Sequence, residues 1–148
     1  MAASFKTEMV LVGRLARAED ILAGLTAVAL ERGIRAAVVQ GVGATREAVL
    51  GFYDQEALEY RDHSIPEPME LLSLTGNISL KDGSPFVHVH AILSDEQGRA
   101  FGGHVMPGTR VFALEYSLMV LDGPELCREY DRETHLYLWP ASVSRALG

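Results

Sequence analysis

The spacing of apolar positions changes repeatedly along this chain, and the changes mark its elements. Residues 18–33, AEDILAGLTAVALERG, are the one clear helical stretch: Ile21, Leu22, Leu25, Val28 and Ala29 fall on one face. Asp20 or Glu19 can cap its start, and Gly33 suits the left-handed residue that ends a helix. Most of the remainder alternates, or runs apolar in short stretches, as strands do. TEMVLVGRL (7–15) reads as a first strand, IRAAVVQ (34–40) as a central one and REAVLGFYD (46–54) as another, with GVGAT (41–45) breaking the chain between the last two. MELLSLTGNISL (69–80) is a strand weakened by Gly76. TRVFALEYSLMVLDG (109–123) is a long strand ending at Gly123-Pro124, and HLYLWP (135–140) supplies a short last one. The polar QEALEYRDHSIPEP (55–68), with two prolines, reads as a loop or a sheet edge.

Strands mostly follow strands, so the inventory predicts an α+β domain, a mainly antiparallel β-sheet of about seven or eight strands with one principal helix packed against it. One helix covers only part of one face of such a sheet, and a partner subunit is the simplest cover for the rest. The length of 148 residues suits one domain over 1–148.

The remaining stretch, PFVHVHAILSDEQGRAFGGHV (85–105), carries three of the five histidines. His88 and His90 share a face if 86–93 is a strand, because side chains alternate. In SDEQGR, Asp95 can start a type I turn and Gly98 can take the left-handed position after it, giving a three-residue hairpin loop with a glycine bulge. That register sets Asp95 opposite Arg99 and His90 opposite His104, so all three imidazoles share one face. A two-residue or four-residue loop would turn His104 to the other face.

Three neutral imidazoles on a rigid surface match an open zinc site, with three protein ligands and a fourth position for water or substrate. Imidazole also suits iron, nickel and copper, so the expectation is a divalent metal, with zinc the first choice. The competing reading makes the histidines hydrogen-bonded polar residues that line a sheet or a subunit contact. Gly102 and Gly103 carry no bulk and leave room beside His104. Glu70 and Glu115 are carboxylates within apolar strands, able to orient a histidine, to act as a base toward bound water, or to pair with arginines. Gly41 and Gly43 follow a strand, but no helix follows and the full G-x-G-x-x-G pattern is missing, so they read as a tight turn lining a cleft. His63 reads as solvated, and REYDRET (128–134) as a solvated loop in which Arg128 can partner Glu115.

Composition narrows the classes. The net charge is −7 and the thirteen lysines and arginines are scattered, which speaks against a basic nucleic-acid-binding face. Cys127 is the only cysteine, so no intrachain disulfide can form; it reads as a small buried hydrophobe in a reducing compartment. No apolar run approaches the ~20 residues of a membrane helix. MAASFKTEMV lacks the apolar centre of a secretion signal. A cytoplasmic protein is expected.

Several motifs together resemble one family. GVGATREAVLGFYD, MELLSLTGNISL, PFVHVHAILSDEQGRAFGGHV, ALEYSLMVL and CREYDRETHLYLW are similar, in order and spacing, to the plants and prokaryotes conserved (PPC, or DUF296) domain over about residues 7–139. The resemblance implies a mainly antiparallel sheet with a packed helix, assembly as a homotrimer, and metal ligation by His88, His90 and His104. Plant members join this domain to AT-hook segments that bind DNA; this sequence has no RGRP hook, so the resemblance brings no DNA-binding residues with it. His135 stands where many relatives have glycine. Three functions compete: a homotrimeric binding or regulatory module for a small ligand or metal, a metal-dependent hydrolase or lyase, and a DNA-associated regulator.

Overall fold

The computed structural model describes residues 2–140. In chain order the elements are β1 (Lys6–Leu15), α1 (Ile21–Arg32), β2 (Ala37–Asp54), β3 (Glu59–Ile65), β4 (Met69–Lys81), β5 (Ser84–Ser94), β6 (Ala100–Val105), β7 (Arg110–Asp122), β8 (Glu129–Tyr130) and β9 (Tyr137–Leu138). The first seven strands form one sheet in the order β1-β7-β2-β4-β5-β6, with β3 also on β2, and β8 and β9 form a small second sheet. Every strand pairing is antiparallel. The α+β architecture with one helix is the one the strand inventory implies.

The long β2 organises the sheet. Its first part lies between β7 and β4, and its second part pairs with β3 and, at Leu50 and Gly51, with β6. Since β4, β5 and β6 pair in succession, the return of β6 to β2 closes β2, β4, β5 and β6 into a ring. The break expected at GVGAT is absent, because β2 runs straight through it. Gly41 and Gly43 form a bulge against β4, not a tight turn. Gly43 has φ 157°, and a Cβ there would lie 2.0 Å from the Ala113 carbonyl oxygen, so glycine is what lets β7 come this close. The segment expected as loop or edge contains β3, hairpin-paired to β2.

Asp20 is the helix cap, its Oδ1 accepting from Ala23 N at 3.0 Å. Gly33, at φ 64°, ends α1 and donates its N–H to the last-turn carbonyls. Ile21, Leu25 and Ala29 join Val39, Leu74, Ile78, Val89 and Leu118 in the core, with Leu22 and Val28 partly buried against it. On β5, Val87, Val89, Ala91 and Leu93 are buried. The period of two then sends His88, His90 and Ile92 to the opposite, outer face.

REYDRET is not simply a solvated loop. Asp131 Oδ1 accepts from Glu133 N, Thr134 N and Thr134 Oγ1, which fixes a turn between β8 and β9. Within that turn His135 sits at φ 54°, a left-handed position that glycine takes without strain. Arg128, just before β8, is buried, and Cys127 is only half-buried. No helix among the described residues is long and apolar enough to cross a membrane.

Candidate metal centre

The hairpin between β5 and β6 has the register its loop chemistry predicts. Gly98 is left-handed at φ 76° and donates to Asp95 O at 3.0 Å, while Asp95 N donates to Arg99 O at 3.1 Å. Asp95 Oδ1 holds the loop by accepting from Gln97 N at 3.0 Å and Arg99 N at 2.9 Å. His90 consequently pairs with His104 across the ladder. His88, two residues back on β5, shares their face.

The three rings form a triangle, with centroids 5.3 Å apart for His88 and His90, 5.0 Å for His88 and His104, and 5.2 Å for His90 and His104. One ring nitrogen from each lies within 4.8 Å of the others. A tetrahedral ion with ~2.0–2.1 Å bonds wants its nitrogens roughly 3.3 Å apart, a closure that small ring rotations supply. His104 Nδ1 is buried and has no hydrogen-bond partner, an orphaned lone pair or N–H that a site of this kind accounts for. The donor set is three imidazoles without a carboxylate, which fits zinc and its neighbours better than magnesium or calcium.

Electrostatics keep two of the three donors, His88 and His104, neutral. Burial, then the Arg128 guanidinium, then the other two histidines push the His88 pKa down to about 4. Burial, then His90 and Arg128, push His104 down to about 4 as well. A neutral imidazole is the form that gives a lone pair to a metal.

The surroundings differ from the expected ones. Glu70 pairs with Ser94, five residues along β4 from the Thr75 that faces His90, or roughly 16 Å away. Glu115 lies on β7 opposite Val42, three strand spacings from β5, or about 14 Å. Both side chains are exposed, and neither hydrogen-bonds a histidine or an arginine among the described residues. Gly41 lines a shallow cleft with Glu115, with no histidine in its lining. Gly102 shares the histidine face, opposite Ile92. Gly103 opens no space there: a Cβ on it would stand 3.0 Å from Gly51 O and 3.1 Å from Leu50 Cβ, so its smallness lets β6 close onto β2.

Sequence reasoning missed the side chains that do surround the triad. The Tyr60 ring, from β3, lies 5.0 Å from His104 at 36°. Arg128 brings Nη2 to 3.2 Å from His88 Nδ1, and does not pair with Glu115. Tyr60, His88, His104 and Arg128 line a small cavity of ≈ 210 Å³ together with Phe86, His135 and residues 136–138. His135 borders the site as well, while His63 is exposed on β3.

Comparison with known proteins adds to this. A family model of the Plants and Prokaryotes Conserved (PCC) domain matches residues 2–122. A solved structure of a metal-containing protein from Archaeoglobus fulgidus is 38% identical, with TM-score 0.90 over 95% of this chain and 99% of that one. Another, from Bacteroides thetaiotaomicron and described provisionally as a DNA-binding protein, is 25% identical with TM-score 0.83, covering 93% of this chain and 96% of that one. A bifunctional protein GlmU from a Synechococcus strain is 31% identical over 113 residues, which is 76% of this chain and 16% of that protein, so the chain spans a small part of this curated relative.

Proposed function

The chain belongs to the Plants and Prokaryotes Conserved (PCC) domain family, the PPC domain anticipated from its motifs, and we propose that it is a homotrimeric, cytoplasmic binding module that holds a divalent metal, zinc first, through His88, His90 and His104. The observation that carries this reading is the triad itself: one ring nitrogen from each of three histidines within 4.8 Å of the others, with His104 Nδ1 buried without a partner. A metal-containing relative at 38% identity supports it. When bound, the ion would supply Lewis acidity and an open position for a small ligand.

The outer face of the sheet supports the assembly. Val10, Met119 and Val38 are exposed and pair side by side across β1, β7 and β2, and the row continues through Asn77 to His88. A contiguous apolar row that leads to a polar site is the kind of surface a second subunit covers. The net charge of −7 places DNA association behind this reading, the provisional designation of one relative notwithstanding.

Native mass spectrometry of protein purified without chelator tests both parts at once. The expected species is three chains with one zinc each. A metal-free monomer at micromolar concentration would overturn the proposal.

A further inference from the structure

Arg128 is 8% exposed, and no carboxylate among the described residues pairs with its charge. Its Nε donates to Ser79 Oγ at 3.0 Å, Nη1 to the Tyr137 carbonyl at 3.0 Å and Nη2 to Asn77 Oδ1 at 2.8 Å, with His88 Nδ1 3.2 Å from Nη2. All four partners are neutral. The chain has twenty aspartates and glutamates, yet none of the described ones pairs with this guanidinium. A buried cation without a counter-ion is costly, and a fold that retains one commonly reserves it for an anion that arrives from outside.

The contact with His88 sharpens the point. Nη2 is a donor, so His88 Nδ1 must accept, which uses the only lone pair of a neutral imidazole. A His88 that gives that lone pair to a metal can no longer accept from Arg128. The guanidinium then has a free N–H on Nη2 in addition to the spare one on Nη1, two donors of the kind a carboxylate accepts. The cavity beside it holds ≈ 210 Å³ and is walled by Tyr60, Phe86 and Tyr137. That is below the roughly 300 Å³ of sites for drug-sized ligands, so the occupant is small.

We propose that this cavity binds a small carboxylate, held by Arg128 beside the three-histidine group. The inference rests on the metal reading above and names the ligand class of the same site. Arg128, just before β8, and Tyr137 of β9 lie beyond residue 122, where the family-model match ends. Binding of metal and carboxylate should be mutually favourable, because each relieves a cost the other meets.

The test uses the one tryptophan of the chain, Trp139, whose ring lies 5.3 Å from the Arg128 guanidinium carbon. Zinc-loaded full-length protein is titrated with lactate and with lactamide, its uncharged isostere, by Trp139 fluorescence and by calorimetry. Lactate should bind saturably, lactamide at least tenfold more weakly. Arg128→Gln, compared at equal zinc loading, should lose at least tenfold in lactate affinity. Equal binding of lactate and lactamide, no lactate binding to zinc-loaded protein, or unchanged affinity in Arg128→Gln would overturn the inference. Should that variant fail to fold, the two wild-type titrations decide it. A protein that takes up no zinc and still prefers lactate through Arg128 would sink the metal reading and leave the anion site standing.

Discussion

Replacing Gly76 by alanine tests whether strand spacing, and not only ligand identity, builds the site. Gly76 pairs with Val89, between the row of His88 and the row of His90. A Cβ added there would lie 2.0 Å from the His88 carbonyl oxygen and 2.7 Å from Val89 Cα. Carbon–oxygen contacts in sheets sit at roughly 3.3 Å, so β4 and β5 must part by about 1 Å locally. Ladder bonds of about 2.9 Å would then stretch to about 3.9 Å, beyond hydrogen-bonding range. Losing one or two of them costs about 0.5–1.5 kcal/mol each. Crowding adds about 1–3 kcal/mol. The total is about 1.5–6 kcal/mol, and His88 shifts with its strand. Urea denaturation should show the midpoint falling by about 0.5 M or more, given slopes of about 1–3 kcal/mol per molar. A zinc competition titration should show at least tenfold weaker binding. Gly102→Ala is the control, since its Cβ would meet Ala91 O at 3.3 Å and Ile92 Cγ1 at 3.9 Å and should cost under about 1 kcal/mol. A Gly76→Ala protein within about 0.5 kcal/mol of wild type, with unchanged zinc affinity, would refute the reasoning.

Deleting Gln97 should shorten the β5–β6 loop to two residues, slip the register by one and turn His104 to the core face; zinc affinity should fall about a hundredfold or more, measured by competition with a chromophoric chelator. In metal-free protein, His88 and His104 stay neutral down to about 4 while their unfolded counterparts take up protons near 6.5. The unfolded state therefore binds more protons between those values, and stability must fall as pH drops through that window and level off below it. Thermal midpoints at pH 7, 5.5 and 4.5 should show a fall that His88→Ala/His104→Ala largely removes; an equal fall in that variant would contradict the assignment. Asp20→Ala removes the helix cap and the acceptor of Gly108 N, at 2.7 Å from Oδ2, and should cost about 2–3 kcal/mol by urea denaturation.

What the sequence makes legible here is local. The helix, its Asp20 cap and Gly33 end, and the hairpin register all follow from residues a few positions apart, whose turn chemistry leaves one solution. The GVGAT stretch misleads because glycine signals a turn by its own freedom, whereas here the requirement comes from Ala113, a strand away. Glu70 and Glu115 look buried because their neighbours are apolar, but a strand with one face outward exposes every second side chain. Arg128 sits in a charge-rich run that reads as solvated, and its contact with His88 spans 40 residues of sequence. Tyr60 is hidden in the same way, brought to His104 by the shared pairing of β3 and β6 with β2. The donors of the site were therefore visible and the residues around them were not.

The central claim is that His88, His90 and His104 together hold one ion. Zinc per chain, determined by mass spectrometry on wild type and on His88→Ala, His90→Ala and His104→Ala, with His63→Ala as the exposed-histidine control, tests it most directly. About one zinc per chain is expected in wild type and His63→Ala, and strong loss in each of the other three. No zinc in wild type after incubation with the metal, or zinc retained by all three single variants, would contradict it.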